Sequence, residues 1–262
     1  MKIIVLIKQV PDTTDVKIDP KTNTLIREGV ESVINPFDMY AIEEALRVKE
    51  RMTGMEVVVI SMGPPQAVTA LREAISMGCD SGILVSDRKF AGSDTWATSY
   101  TLAQAVKKLG EYKIIFCGKQ ASDGDTAQVG PGISTHLNIP QVTYVKKIEK
   151  LNENQATVER MTEEGYDIVE TPLPAVITVV KEINEPRLPS LKGKMKAKKT
   201  EIPVWTAEEI GCDETKIGLD GSPTRVVKIF SPPRREGGRV LEGEPSEKAK
   251  ELASLIKEIV IG

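Results

Sequence analysis

Four times between residues 3 and 137 a short apolar run gives way to a segment of helical period. The runs are IIVLI (3–7), MEVVVISMG (55–63), GILVSD (82–87) and KIIFCG (113–118). Lacking polar alternation, they read as strands buried on both faces. The segments between them cover 36–51, 64–78, 93–110 and about 125–137. In the first, Asn35 stands at the N-cap and Pro36 at the first helical position, and Met39, Ile42, Ala45, Leu46 and Lys49 recur at helical spacing. Gly78 and Gly110 close the second and third. Four successive units of this kind predict an α/β fold, a mostly parallel sheet covered by helices on both faces. An apolar content of 40% in 262 residues is enough to pack its core.

The pattern changes after residue 140. From Gln141 to Glu182 short β-branched runs alternate with polar turns, which predicts antiparallel strands added to the sheet edge. Beyond residue 185, proline, glycine and lysine dominate, and helical period returns only in the last 17 or so residues. The division is therefore 1–185 for the α/β domain and 186–262 for an arm with a terminal helix. Without a core of its own, the arm is expected to lie on another surface, either a partner chain or the chain's own domain. Lys+Arg of 35 against Asp+Glu of 38 gives a net charge of −3 and no basic field for nucleic acid. Three scattered cysteines and a single histidine, His136, argue against a metal centre or a disulfide framework. The first apolar run is too short for a membrane span, so a cytoplasmic protein without a transmembrane segment is expected.

A doubly wound sheet binds ligands beyond the carboxyl ends of its strands, where the strand order reverses. Those ends carry KQVPDT (8–13), SMGPP (61–65), SDRKFAGSDT (86–95) and GKQASDGDTAQVGP (118–131), all rich in small and hydroxyl residues. The last opens a helix, so its backbone N–H groups and the helix dipole make an anion site. It is neither a Walker loop nor a dinucleotide fingerprint. An extended nucleotide held here would have phosphates on Ser93, Thr95, Thr126 and backbone amides, and Asp12 or Asp123 near a sugar hydroxyl. Ser93 is also placed to cap the following helix, with Asp94 favoured by the dipole.

NPFDMYAIEEALRVKE, GKQASDGDTAQVGP, LPAVITVVKEINEPRLPSLKGKMKAKK and VWTAEEIG, in this order, resemble the beta subunit of electron transfer flavoproteins. The resemblance covers nearly the whole chain. It implies a Rossmann-like, adenine-nucleotide-binding domain, a heterodimer with an alpha subunit that carries FAD, and an arm wrapped on that partner. Members of the family hold either AMP or a second FAD in the beta subunit. Asp38 in NPFD, where AMP-binding relatives commonly carry Cys, and FAGSDTWATSYTLA and DGDTAQVGP point to FAD of the electron-bifurcating type. Hydride would then come from NADH, one electron passing to ferredoxin or flavodoxin and the other, through the alpha subunit, to an acyl-CoA dehydrogenase-like enzyme. AMP in a simple electron carrier, and a nucleotide-binding regulatory protein, remain as alternatives.

Carried over by motif, the nucleotide contacts fall on Leu6 and Lys8; on Asn35, Pro36, Phe37 and Asp38; on Met62; and on Gly118, Lys119, Gln120, Ala121, Ser122, Asp123, Gly124, Asp125, Thr126, Ala127, Gln128 and Val129. Phe90, Ala91, Gly92, Ser93, Asp94 and Thr95 join them for the longer pyrophosphate of FAD. RLPSL matches the loop by which the family docks on its dehydrogenase, with Arg187 and Leu188 in it and Leu191 as the apolar anchor.

Overall fold

A computed structural model describes residues 1–12, 32–227, 238 and 240–261. Thr13 of the first loop, residues 228–237 and 239 of the arm, and Gly262 lie outside the described residues. Residues 1–227 form one compact unit and 228–262 a second.

In chain order the elements are β1 (Lys2–Ile7), β2 (Gln9–Pro11), β3 (Ser32–Ile34), α1 (Pro36–Arg51), β4 (Glu56–Met62), α2 (Val68–Met77), β5 (Ser81–Val85), α3 (Thr95–Leu109), β6 (Tyr112–Gly118) and α4 (Val129–Leu137). There follow β7 (Gln141–Leu151), β8 (Gln155–Met161), β9 (Tyr166–Pro172), β10 (Ala175–Val179), α5 (Leu191–Lys199) and β11 (Val204–Trp205). The second unit contributes α6 (Pro245–Ile261), on which Leu252 and Ile256, one turn apart, are both half exposed.

One nine-stranded sheet runs β11-β5-β4-β1-β6-β10-β7-β8-β9. Pairing is parallel from β11 to β7 and antiparallel from β7 through β9. Side chains alternate across the sheet as the pleat requires. Ile3, Val5 and Ile7 pack with α1 and α2 on one face, while Ile4 and Leu6 pack with α3 and α4 on the other. The expected α/β fold is therefore present, with two differences. The run AVITV does not join the antiparallel edge. It returns as β10 between β6 and β7, parallel and buried at all five positions, as a run without polar alternation can. The lysine-rich stretch after Ser190, where the sequence shows no helical period, is a helix, α5. The Ser190 hydroxyl caps it by accepting from Gly193 N at 3.0 Å, and Arg72 donates to the carbonyls of Ala197 and Thr200 at its far end. Gly193 is required there, because a Cβ would stand 2.0 Å from the Ser76 carbonyl oxygen of α2.

After β1 the chain builds β4 and β5 on one side, then crosses to lay β6 on the other. The order reverses between β1 and β6, and that point defines the crevice. Among the described residues no helix is long and apolar enough to cross a membrane.

Candidate functional site

The β1/β6 ladder ends at Leu6 opposite Cys117. Just beyond it two amides turn to one side chain: Lys8 N, past the end of β1, donates to Asp38 Oδ2 at 2.7 Å, and Gly118 N, the last of β6, donates to Asp38 Oδ1 at 3.1 Å. Asp38 comes from the first turn of α1 and is 5% exposed. Burial pushes its carboxyl up to about 7, against the pull of the Lys8 amide, the Asn35 side chain and the Gly118 amide. A Cβ at Gly118 would lie 2.6 Å from both Asp38 Oδ1 and Phe37 Cβ, so only glycine fits. Asn35 holds the N-cap position without capping. Its amide reaches across instead, donating to the Gln120 carbonyl at 2.9 Å and accepting from Ser122 N at 3.0 Å. Lys8 Nζ pairs with Asp123 Oδ1 at 2.6 Å on the exposed rim. Thus the end of β1, the start of α1 and the loop after β6 are tied into one constellation.

That loop turns at Ala121, whose carbonyl accepts from Gly124 N and Asp125 N. Gln120 Nε2 donates to Asp125. Asp125 and Ala127 then take left-handed φ of 53° and 54°, a conformation that costs a residue with a Cβ about 1 kcal/mol or more. Within the described residues nothing accepts from the N–H groups of Thr126, Ala127, Gln128, Val129 and Gly130. Left-handed residues among successive free amides at the positive end of a helix form an anion-binding concavity. Helix α4 consequently begins at Val129, four residues later than the sequence suggests, because 125–128 are spent on this turn. Lys119 stands with its ammonium 5.1 Å from the Phe37 ring and 5.6 Å from that of Tyr144, both within cation–π reach. Tyr144, with φ of 59°, was not singled out by its sequence, since nothing in a β7 pattern marks a left-handed aromatic.

The loop after β5 is arranged differently. Asp94, and not Ser93, caps α3: its Oδ1 accepts from Trp96 N at 2.9 Å and Ala97 N at 3.0 Å, and its Oδ2 accepts from Thr224 N and Oγ1. Ser93 Oγ donates to the Phe90 carbonyl and accepts from Gly218 N at 3.0 Å. Phe90 is buried in the core, and exposed Gly92 backs on Leu219. Ala91 is exposed beside it. Only Thr95 reaches the other loop, donating to Gln128 Oε1 at 3.0 Å. Between them lies a cleft of about 300 Å³ lined by Asp94, Thr95, Trp96, Ser99, Gln128, Gly132, Pro223 and Thr224. Trp96, Pro223 and Thr224 are a second group that the sequence reading missed; the last two are brought in from about 130 residues away. Leu6 and Met62 face the core, so either would meet a ligand through its backbone. Pro36 and Asp12 are exposed.

The docking residues separate in role. Arg187 folds back on α1, donating to Glu43 Oε2 at 2.7 Å and Glu50 Oε1 at 2.6 Å. Leu188 and Leu191 are left 89% and 77% exposed, with Met195 one turn beyond at 55%.

The family description "Electron transfer flavoprotein domain" matches residues 22–210. The chain is 49% identical to the electron transfer flavoprotein subunit beta of Megasphaera elsdenii, over 99% of this chain and 98% of that one. It is 49% identical to the caffeyl-CoA reductase-Etf complex subunit CarD of Acetobacterium woodii, over 98% of each. It is 45% identical to the protein FixA of Sinorhizobium fredii, over 98% of this chain and 93% of the relative. Matched by the family description across most of its length and by beta subunits from end to end, the chain belongs to the electron transfer flavoprotein family, on its beta-subunit side.

Proposed function

We propose that this chain is the nucleotide-holding subunit of a heterodimer with an electron transfer flavoprotein alpha subunit, and that the nucleotide is FAD. The observation that carries the reading is the run of amides from Thr126 to Gly130 that find no acceptor among the described residues, beside open space at Gly124. These amides would hold phosphate, with Thr126 and Ser122 hydroxyls at hand and the Lys8–Asp123 pair at the rim. When bound, FAD supplies hydride acceptance from NADH and one-electron transfer to two acceptors. The residues of this chain bind and orient it: Asn35 fixes the loop, Asp38 fixes the strand ends, and Lys119 adds a positive charge between two rings. The cleft of about 300 Å³ is too small to enclose a whole dinucleotide, so the alpha subunit must cover the rest. AMP is the second reading, favoured by that same volume.

The electrons go in this proposal to ferredoxin or flavodoxin and to an acyl-CoA dehydrogenase-like enzyme, a partner class supported by the relative named as part of a caffeyl-CoA reductase-Etf complex. Leu188, Leu191 and Met195 form its apolar anchor, and Arg187 acts through α1 to present them. Cytoplasmic location accords with all these partners. Anaerobic titration of the co-purified heterodimer with NADH tests the reading: flavin bleaching without added dehydrogenase supports it, and no bleaching removes the NADH step. Leu191→Ala is expected to lower electron transfer about tenfold at limiting dehydrogenase without changing nucleotide content; unchanged transfer removes the anchor role.

A further inference from the structure

Where β1 and β6 part, the amides of Lys8 and Gly118 point to the place that an anionic ligand group commonly takes in a doubly wound sheet. Here each donates to one oxygen of a single carboxyl, at 2.7 and 3.1 Å. We propose that Asp38 occupies the anion seat at the head of the β1/β6 crevice from within the chain, so that a nucleotide's phosphates are kept out of it and confined to the amides of 126–130. This rests on the nucleotide reading above and deepens it, making Asp38 a specificity-determining residue.

Three features support a built seat. The carboxyl matches two amides, one just past the end of β1 and one at the end of β6, which is the two-oxygen spacing a phosphate would offer. The seat is closed, since Asp38 is 5% exposed and Gly118 and Phe37 leave no room beside it. It is also rigid, for Asp38 N donates to the Asn35 carbonyl at 2.9 Å and Asn35 N to the Lys8 carbonyl at 2.8 Å. An acidic residue in the first turn of a helix ordinarily serves its own helix dipole. This one turns to the strand ends, and its neighbour Asn35 turns to the loop.

Inorganic phosphate is the probe, measured by equilibrium dialysis at pH 8 on the full heterodimer as purified. Asp38→Ala is expected to bind one phosphate per beta chain beyond what the wild type binds, whereas Asp38→Asn, which keeps the volume and an acceptor, binds none beyond it. Asp38→Ala binding no more than the wild type overturns the proposal. Should Asp38→Ala not fold, the wild type decides: with [15N]glycine in the beta chain, stripping the bound nucleotide is expected to move the Gly130 amide resonance and leave Gly118 in place. A larger shift at Gly118 than at Gly130 overturns the proposal. A heterodimer purified without any nucleotide in the beta subunit fails the underlying reading, and the phosphate comparison still decides the seat.

Discussion

Two loops, 86–95 after β5 and 118–129 after β6, read alike: each follows a buried strand, carries Gly, Ser, Thr and Asp, and opens a helix. Their backbone accounts differ. In the first, Asp94 caps α3 and binds Thr224, Ser93 binds Gly218, and Ser222 Oγ accepts from Asp94 N. In the second, the side chains of Asn35 and Asp38 hold the frame, while the five successive amides of 126–130 find no acceptor among the described residues. Loop composition alone therefore does not identify a site; what sets the second loop apart is an unbroken run of unanswered N–H groups, whereas those of the first are isolated.

The aspartates behind the two loops have opposite pH signatures. Asp38 titrates near 7 when folded, against an ordinary value of 3.8. Between those values the folded state keeps a proton that the unfolded state has lost, so this contribution to stability is full below about 4 and lost as pH rises through 7. The change is at most ~4 kcal/mol. Asp94 goes the other way: burial raises its carboxyl, but the amide of Ala97, the hydroxyl and amide of Thr224 and the amide of Trp96 outweigh this and hold it below the ordinary range. Its contribution is present at neutral pH and is lost in acid. Urea denaturation of the wild type, Asp38→Asn and Asp94→Asn between pH 4 and 8 separates them. Asp38→Asn should flatten the loss toward pH 8 and Asp94→Asn the loss toward pH 4; identical profiles for all three would erase the distinction.

Glycine substitutions come next in size. Gly118→Ala forces a Cβ to 2.6 Å from Asp38 and Phe37 and is expected to cost ~2–3 kcal/mol. Gly124→Ala meets nothing within 4 Å and should stay within about 0.5 kcal/mol of wild type. Equal midpoints for the two would mean that the close approach at Gly118 is not maintained in solution.

Asp94→Ala removes a cap and two bonds to Thr224 and should cost ~2 kcal/mol, with nucleotide content unchanged. Asp123→Ala breaks only an exposed pair with Lys8 and should cost less than ~1 kcal/mol. Loss of nucleotide from Asp94→Ala, with retention in variants of the 118–129 loop, would reverse the assignment of the two loops.

The sequence made the strands, the helices on both faces and the loop after β6 legible because buried runs and helical period are local signals. It misplaced β10, since a five-residue apolar run does not say which neighbours it will take. It showed no helical period at α5, whose stability comes from Arg72, Ser190 and the α2 surface and not from its own lysine-rich stretch. The motif around Asn35 and Asp38 was visible, but their hydrogen bonds to strand and loop were not: both looked like residues serving their own helix. The left-handed turn at Asp125 and Ala127 and the approach of Pro223 and Thr224 to α3 are tertiary outcomes without a local signature.

The most direct measurement is the nucleotide content of the co-expressed, purified heterodimer, by acid release and chromatography. A nucleotide held on the 118–130 loop predicts two FAD per heterodimer and no AMP. One FAD with one AMP would keep the seat and replace its occupant, making the chain a simple carrier subunit. One FAD and no second nucleotide would contradict the central claim, leaving the unpaired amides of 126–130 without a ligand.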